Sequence, residues 1–332
     1  MSDARSNSAT ATTGTADLPR PYRGRFAPTP SGALHFGSLV AALASFLDAR
    51  SRRGEWLVRI EDLDPPRERP GAADQILRTL DRLGLHWDGP VVRQSTRLPL
   101  YQEAVDLLER RDLLRRCRCS RAALGALAVN RGRASGDDLF HPRECVVPPG
   151  PPGEPHALRF RTPDRSVEWV DRAQGPQATN VARTHGDFVL RRRDGLVAYQ
   201  LAVVVDDAEQ RILDVVRGGD LLASTPRQIL LQEALGLPRP SHMHVPLAVD
   251  ETGLKLSKSG DAPALDAAPP AEQLAAALAF LGQEPPLELR RAPPGDALGW
   301  AVQHWRPGRF AGVKVRVARD VQGQAAVQER DR

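Results

Sequence analysis

The sequence of 332 residues lacks the features that mark membrane and secreted proteins. It has no run of about 18 apolar residues, the length that a membrane-spanning helix requires. The first 20 residues are rich in Ser, Thr and Ala and contain no apolar signal core, so we expect a disordered leader there. There is also no internal repeat. These absences favour a cytoplasmic globular protein of one large domain or two domains.

Cysteine is scarce, and the three residues of this type are Cys117, Cys119 and Cys145. An odd number of cysteines without a secretion signal argues against a disulfide framework. All three lie in one short window, and His141 lies in the same window. Three thiolates and one imidazole can form a tetrahedral site for structural zinc. Three free cysteines in a reducing cytoplasm are the alternative interpretation.

The composition allows a globular enzyme with a full core, because 41% of the residues are hydrophobic. The net charge of +5 and the isoelectric point of about 9.5 are compatible with a phosphate-rich partner. Arginines are dense in the segments 110–121 and 191–193. Without further motifs, these segments are equally well explained as solvated faces of helices and strands.

The order of predicted elements is typical of a parallel sheet covered by helices. We predict strands at 22–27, 56–60, 157–161, 187–193, 212–217 and 244–249, and helices at 38–53, 72–83, 101–116 and 224–235. The segment from 116 to 194 departs from the alternating pattern and is interpreted as an inserted subdomain. Beyond Arg306 the chain is basic and rich in Gln, and we expect it to be frayed.

The segment from Arg25 to Ser38 follows a predicted strand and opens a predicted helix. This placement presents backbone N–H groups and the positive end of a helix to an anion. The small residues Gly37 and Ser38 allow close approach, and His35 can donate to a phosphate. A tight strand–helix turn capped by a histidine would have the same sequence pattern. His35 alone therefore does not distinguish a phosphate-binding site from a helix cap.

The loop Lys255–Ser259 carries two lysines and two hydroxyl groups in five residues. Such a loop can act as a mobile clamp on phosphates, although a solvated basic loop is the common alternative. The two segments together are far more specific evidence for a nucleotide site than either one alone.

As a pair, these segments resemble the "HIGH" and "KMSKS" signatures of class I aminoacyl-tRNA synthetases. Here the first reads His-Phe-Gly-Ser, with Ser38 in place of the second histidine, and the second has Leu256 in place of methionine. The resemblance implies an α/β fold with a split Rossmann-type parallel sheet and ATP with Mg²⁺ as substrate. It assigns catalysis to His35 and Lys258. It assigns ATP binding to His35, Gly37, Ser38, Lys255, Ser257 and Lys258.

Four further segments, 25–32, 60–64, 199–207 and 217–228, are similar to glutamyl-type synthetases. The similarity runs from about Tyr22 to Leu265. Carried over by position, it implies a glutamate site formed by Arg25, Phe26, Ala27, Pro28, Thr29, Glu61, Tyr199 and Arg217. The chemistry agrees, because guanidinium groups bind carboxylates bidentately and Glu61 can bind the ammonium group.

The cysteine cluster also has a counterpart in the glutamyl-Q tRNA(Asp) synthetase family, which this sequence most resembles. In that family we expect Cys-x-Cys and then Tyr-x3-Cys as zinc ligands. His141 stands where the tyrosine would be, and histidine is the better zinc ligand. We therefore predict one structural zinc held by Cys117, Cys119, His141 and Cys145. Asp137, Asp138 or a water are the alternatives for the fourth ligand.

The resemblance implies tRNA-independent formation of glutamyl-adenylate and transfer of glutamate to the queuosine base in the anticodon loop of tRNA(Asp). About 70 residues follow Lys258, too few for an anticodon-reading helical domain. A minimal glutamyl-tRNA synthetase acting at a tRNA 3′ end is the alternative function. We expect a monomer with the domains 1–20 (leader), 21–115 and 195–305 (catalytic halves), 116–194 (inserted zinc and acceptor-contacting subdomain) and 306–332 (basic tail).

Overall fold

The structure is a computed structural model. It describes residues 21–130, 140–142, 145, 147, 153–255, 265 and 268–318, and for 127–130 it describes the backbone only. The strands are β1 (Arg23–Phe26), β2 (Glu55–Ile60), β3 (Val92–Arg93), β4 (Leu114–Cys117), β5 (Ala157–Phe160), β6 (Ser166–Asp171), β7 (Gly175–Asn180), β8 (Phe188–Arg191), β9 (Asp214–Gly218), β10 (Ser241–Val245), β11 (Leu247–Val249) and β12 (Val315–Val317).

The helices alternate with the strands over most of the chain. They are α1 (Phe36–Ser51), α2 (Ala72–Arg82), α3 (Leu98–Arg110), α4 (Arg121–Asn130), α5 (Val181–Thr184), α6 (Tyr199–Glu209), α7 (Thr225–Leu235), α8 (Pro270–Phe280) and α9 (Pro294–His304). Within the described ranges, no helix has the length and apolar character needed to cross a bilayer.

Two groups of parallel strands form the centre of the molecule. β1 pairs with β2 and β2 with β3, while β10 pairs with β9 and β6, all in parallel. The N–H of Leu213 donates to the carbonyl of Arg23 at 2.9 Å, which places β9 beside β1. The predicted α/β fold with parallel strands is therefore confirmed.

One hydrophobic core lies between this sheet and the helices α1, α8 and α9. Helix α1 is buried along almost its whole length, from Leu39 to Ala49. Apolar residues on all sides of a helix are expected where both faces are covered. Rigid packing at α1 fixes the loop that precedes it, which belongs to the candidate site.

A second hydrophobic core joins α3, α6 and α7 to the antiparallel sheet β4–β5–β8. Strand β6 contributes Val167 and Trp169 to this core, and it also pairs with β10 of the central sheet. The segment 116–194 is thus tied to both cores through β6. The division of the chain into domains stays a prediction.

The predicted helix 101–116 is wrong at its end. Helix α3 stops at Arg110, and Asp112 takes a positive φ of 52° before strand β4 begins at Leu114. Strand β4 is specified by its antiparallel partner β5, in which Phe160 lies opposite Leu114. The same arginine-rich stretch is compatible with either structure, so tertiary pairing decides.

The predicted strand 244–249 is two strands, divided at Pro246, which has no N–H to donate. β10 pairs with β9, while β11 pairs with β12. The expectation of a frayed chain beyond Arg306 is also wrong as far as Ala318. Phe310 is fully buried, and β12 is part of a parallel pair.

Candidate active site

A cavity of about 1360 Å³ opens at the carboxyl ends of the parallel strands. The ends of β1, β2, β9 and β10 all contribute to it, as is usual for ligand sites in open α/β sheets. The cavity is lined by every described residue of the predicted glutamate and ATP sites: Arg25, Phe26, Ala27, Pro28, Thr29, His35, Gly37, Ser38, Glu61, Tyr199, Arg217 and Lys255. Ser257 and Lys258 lie outside the described residues. The structure thus brings these side chains together, while their roles stay predictions.

One side of the cavity is an ion-pair network centred on Arg59 and Asp207. Arg25 at the end of β1 contacts both carboxylate oxygens of Asp207, at 3.1 and 3.3 Å. Arg59 on β2 lies 2.8 Å from the same carboxylate and 3.4 Å from Glu61. These groups are almost fully buried. Burial opposes the ionised form of Asp207, but Arg25 and Arg59 hold the pKa of its carboxyl at about 2.

The network continues away from the cavity through Asp206, which is fully buried. Its carboxylate lies 3.7 Å from Arg59 and 2.7 Å from Arg97. It also accepts hydrogen bonds from Gln94 and Tyr101 at 2.7 and 2.8 Å. Three arginines therefore face three carboxylates, and this side of the cavity is close to neutral.

Glu61 is the carboxylate of this network that faces the cavity. Its backbone N–H donates to the carbonyl of Pro28 at 3.0 Å, which ties the end of β2 to the loop after β1. Burial raises the pKa of the Glu61 carboxyl, although Arg59 and Arg25 oppose this shift. A positively charged ligand group beside Glu61 would stabilise the ionised form.

The other side of the cavity contains Arg217 of β9, which is only 5% exposed. Its Nε donates to Nε2 of His244 at 3.0 Å, and its Nη2 donates to the hydroxyl of Thr225 at 3.0 Å. Its Nη1 donates to the hydroxyl of Tyr199 at 3.3 Å. Arg217 forms no ion pair with a carboxylate in the described part of the chain.

The neutral surroundings of Arg217 have an electrostatic cost. Burial lowers the pKa of its guanidinium and Arg25 adds to this effect, while Tyr199 and the carboxylates of Asp207 and Glu61, which do not contact Arg217, oppose it. Burial likewise raises the pKa of the Tyr199 phenol, so the hydroxyl stays protonated beside the arginine. A buried cation without an anion in contact is a strong site for a carboxylate ligand.

His35 and Ser38 lie where α1 meets the cavity. His35 is the N-cap of α1, and its Nδ1 accepts from the backbone N–H of Ser38 at 3.3 Å. Its Nε2 lies 3.0 Å from the Ser38 hydroxyl. A Cβ on Gly37 would lie 3.1 Å from the His35 ring, so a small residue is favoured there. The helix-capping role is present, and the same ring lines the cavity.

Lys255 also lines the cavity and forms an ion pair of 2.6 Å with Asp220. The turn before it is closed by Asp250, whose carboxylate accepts from the N–H groups of Thr252 and Leu254. Lys255 is half-exposed, so its pairing with Asp220 can exchange for a phosphate at little cost.

The cysteine cluster forms as predicted, outside the cavity. The ligand atoms of Cys117, Cys119, His141 and Cys145 all lie within 4.8 Å of one another. Nε2 of His141 lies 3.2 Å from Sγ of Cys117. Burial alone would raise the pKa of the Cys117 thiol, but His141 and the charge of Arg159 lower it to about 6.

A close backbone approach holds His141 in this cluster. Its N–H donates to the carbonyl of His185, and the N–H of Asp187 donates to its carbonyl. Gly186 lies between these contacts with a φ of 71°, and a Cβ there would lie 1.6 Å from the His141 oxygen. Only glycine fits this position, which the sequence alone did not single out.

Four residues that shape the cavity were not predicted: Arg59, Asp206, Asp171 and His244. All four are buried, and Arg59 lies in β2, whose other buried residues are apolar. A charged residue within an apolar strand is a signal for a buried network, because it must find a partner. The sequence does not reveal which partner, since Arg59 and Asp207 are distant along the chain.

A protein-family profile described as "tRNA synthetases class I (E and Q), catalytic domain" matches residues 22–265. The chain belongs to this family. A curated relative from Pseudomonas aeruginosa, named glutamyl-Q tRNA(Asp) synthetase, is 54% identical over 290 residues, which are 87% of this chain and 95% of the relative. A relative of the same name from Dechloromonas aromatica is 52% identical over 287 residues, covering 86% and 94% of the two chains.

Solved structures of the same family have a similar fold. The glutamate-tRNA synthetase from Elizabethkingia anophelis superposes with a TM-score of 0.73 at 25% identity. The superposition covers 90% of this chain and 68% of that chain. The class I synthetase family predicted from the paired signatures is therefore confirmed.

Proposed function

We propose that the enzyme activates L-glutamate with ATP, without tRNA, and transfers the glutamyl group to the queuosine base in the anticodon loop of tRNA(Asp). The observation that carries the amino-acid assignment is the contrast across the cavity. The Arg59 network is close to neutral, whereas the groups in direct contact with Arg217 within the described residues are all uncharged. Glutamate brings a side-chain carboxylate to that cation.

In this proposal the two ends of glutamate bind to different sides of the cavity. The γ-carboxylate binds Arg217 and Tyr199, and the ammonium group binds Glu61. Arg25 uses Nε and Nη2 for Asp207, which leaves Nη1 for a substrate carboxylate. Phe26, Ala27, Pro28 and Thr29 form the wall next to Arg25. The described groups of the pocket lie together within the chain itself, which supports the proposal that adenylate forms without tRNA.

The activation step requires positioning rather than a covalent enzyme intermediate. An α-carboxylate oxygen of glutamate attacks the α-phosphorus of ATP, and the bond to the leaving pyrophosphate breaks. His35, Gly37, Ser38 and Lys255 lie where they can hold the phosphates, and Ser257 and Lys258 complete this set by position in the sequence. Mg²⁺ enters as part of the ATP substrate. Fixed donors at the site of developing charge stabilise the transition state.

We also propose that Cys117, Cys119, His141 and Cys145 hold one structural zinc ion. Ligands around a tetrahedral zinc lie roughly 3.3–3.8 Å apart, and this cluster, with ligand atoms within 4.8 Å of one another, fits that arrangement. The backbone N–H of Cys119 also donates to Sγ of Cys117 at 3.3 Å, a contact that favours the thiolate. We propose a structural role, because none of the four ligand residues lines the cavity.

The acceptor proposal rests on the relatives' name and on the shape of the cavity. Beyond the glutamate pocket, the cavity extends to Arg121, Arg159 and Arg192 beside the sheet β4–β5–β8. Cations at this wall can bind the phosphates of an RNA loop. Queuosine carries a cis-diol, and one of its hydroxyls can attack the carbonyl of glutamyl-adenylate as a ribose hydroxyl would; the ester bond forms, the acyl–phosphate bond breaks, and AMP and the hydroxyl proton leave. We also propose a cytoplasmic location, which a tRNA substrate would require.

The test compares tRNA(Asp) with queuosine, tRNA(Asp) without it, and tRNA(Glu), each incubated with labelled glutamate and ATP. We expect label only on the queuosine-bearing tRNA(Asp), and nuclease digestion should place it on the anticodon-loop fragment. Efficient labelling of the 3′-terminal adenosine of tRNA(Glu) would instead establish the alternative function. That alternative is favoured by the structural similarity to glutamate-tRNA synthetase.

A further inference from the structure

A buried histidine–aspartate pair lies directly behind Arg217. His244 of β10 is fully buried, and its Nδ1 lies 2.5 Å from Oδ2 of Asp171 at the end of β6. The other ring nitrogen, Nε2, faces Nε of Arg217 at 3.0 Å. The three side chains thus form a line from the centre of the sheet to the cavity.

The hydrogen bonds fix the protonation of the His244 ring. The N–H on Nε of arginine can only donate, so Nε2 of His244 must carry a lone pair. The ring proton then resides on Nδ1 and is donated to Asp171. The arrangement therefore requires a neutral imidazole, and burial also lowers the pKa of His244.

The orientation of Asp171 is fixed as well. Its Oδ1 accepts three backbone N–H groups, those of Ala173, Gln174 and His244, at 3.0, 2.9 and 3.2 Å. Only Oδ2 faces the imidazole. The carboxylate therefore sets the tautomer of His244 without touching Arg217.

We propose that Asp171 and His244 are positioning residues that hold the Arg217 guanidinium toward the γ-carboxylate of glutamate and so determine the preference for glutamate over glutamine. This inference rests on the proposed function. A neutral acceptor suits the task, because a carboxylate in contact with Arg217 would neutralise it, as Asp207 does for Arg25. The His244 ring separates Asp171 from Arg217, and the Asp171 carboxylate also accepts hydrogen bonds from backbone N–H groups.

The sharpest variant is Asp171→Asn, which keeps the shape and reverses one hydrogen bond. Three backbone N–H groups require an oxygen at the Oδ1 position, so the new amide N–H₂ must take the position of Oδ2. It would donate to Nδ1 of His244 and move the ring proton to Nε2. Two donors would then face each other between His244 and Arg217, and the guanidinium would turn away.

Two further variants separate positioning from packing. His244→Ala removes the acceptor, whereas His244→Gln retains an amide oxygen that can accept from Arg217. His242→Leu is the matched control, because His242 is buried on the same strand and its ring stacks on His244 with centroids 6.2 Å apart. No hydrogen bond joins His242 to Arg217 in the described structure.

The assay is amino-acid-dependent exchange of pyrophosphate into ATP, with glutamate and with glutamine. Asp171→Asn and His244→Ala should raise KM for glutamate about tenfold or more, the effect of losing a charged hydrogen bond, while KM for ATP stays unchanged. The preference for glutamate over glutamine should fall by a similar factor. His244→Gln and His242→Leu should stay within about threefold of the native enzyme.

Native KM and native preference in both Asp171→Asn and His244→Ala would overturn the inference, and so would equal losses in all four variants. If a variant does not fold, ¹⁵N NMR of the native enzyme decides independently: the Nδ1–H tautomer of His244 supports the inference, and the Nε2–H tautomer or an imidazolium overturns it. Failure of the proposed function would appear as a native enzyme without glutamate-dependent exchange.

Discussion

The two buried arginines of the proposed glutamate pocket, Arg25 and Arg217, lie in opposite electrostatic surroundings. Arg25 forms a bidentate ion pair with Asp207, which also contacts Arg59. Arg217 is equally buried, but its partners are a neutral imidazole, a phenol and an alcohol. One arginine belongs to a self-compensated network, and the other contacts no anion in the described part of the chain.

This difference predicts that the two sides of one pocket contribute to different properties, one to folding stability and the other to substrate binding. Removing one member of a compensated buried network leaves an unpaired charge, which is costly to the fold. Removing a cation that has no anionic partner leaves no such charge behind. The network should therefore contribute mainly to folding, while Arg217 should contribute mainly to substrate affinity.

The largest expected effect is on stability, in the Arg59→Met variant. Arg59 is fully buried and contacts Asp207, Glu61 and Asp206. We expect the free energy of unfolding to fall by about 3–5 kcal/mol, the typical cost of breaking a buried ion pair. Urea denaturation at neutral pH measures it.

The matched variant Arg217→Met should lower the free energy of unfolding by only about 1 kcal/mol, because it breaks hydrogen bonds to neutral groups. Equal losses in the two variants would remove the distinction between the two sides of the pocket.

The second effect is on substrate affinity, in Arg217→Ala. A hydrogen bond to a charged group contributes about 1.5–3 kcal/mol, so KM for glutamate should rise about 10- to 150-fold. KM for ATP should stay near the native value, since Arg217 lies on the glutamate side of the cavity. A variant with native KM for glutamate would show that another group binds the side-chain carboxylate.

The third effect is the dependence of the free energy of unfolding on acid pH, which arises from Asp207 in the ion-pair network around Arg59. Its folded pKa of about 2 lies below the ordinary aspartate pKa of 3.8, so its contribution is complete above about pH 4–5. That contribution is lost as the pH falls toward 2, and the shift corresponds to about 2 kcal/mol.

Asp207→Asn should therefore be less stable than the native enzyme at pH 6, and the difference should shrink between pH 5 and pH 2. Denaturant titrations across this range provide the test. A difference that stays constant with pH would mean that Asp207 does not carry the stabilising charge.

The smallest effect on the pocket is expected from Gly186→Ala, because the cysteine cluster lies outside the cavity. The new Cβ would overlap the His141 carbonyl, so the backbone must move and zinc content should fall well below one per chain. Exchange without tRNA should change little. Metal analysis after purification without chelator measures the loss.

The matched control for this variant is Gly195→Ala. Gly195 also has a positive φ, of 87°, but a Cβ there would meet nothing within 4 Å. Backbone strain alone should cost about 1–3 kcal/mol and leave zinc binding intact. Equal zinc loss in both variants would contradict the role of the close contact at Gly186.

The sequence was sufficient for the parts of the site that are local. The loop from Arg25 to Thr29, the helix start at His35 and the acidic end of β2 are each contiguous, and the structure places them together. The Cys-x-Cys spacing likewise predicted the cluster. In each case a short motif contains both the backbone geometry and the chemical group.

The parts that could not be predicted depend on contacts between distant segments. Asp171 and His244 meet only because β6 pairs with β10, and Arg59 meets Asp207 only because the C-terminal end of α6 lies beside β2. The end of α3 and the strand β12 were misjudged for the same reason, since each depends on a partner strand. Local pattern does not contain this information.

The most direct test of the account is pyrophosphate–ATP exchange by the native enzyme without tRNA, with glutamate or glutamine as the amino acid. Among the described residues the Arg217 cation contacts no anion; a side-chain carboxylate would compensate it, whereas glutamine would leave it uncompensated. We expect exchange with glutamate and at least tenfold weaker exchange with glutamine. Equal exchange with the two amino acids would contradict it.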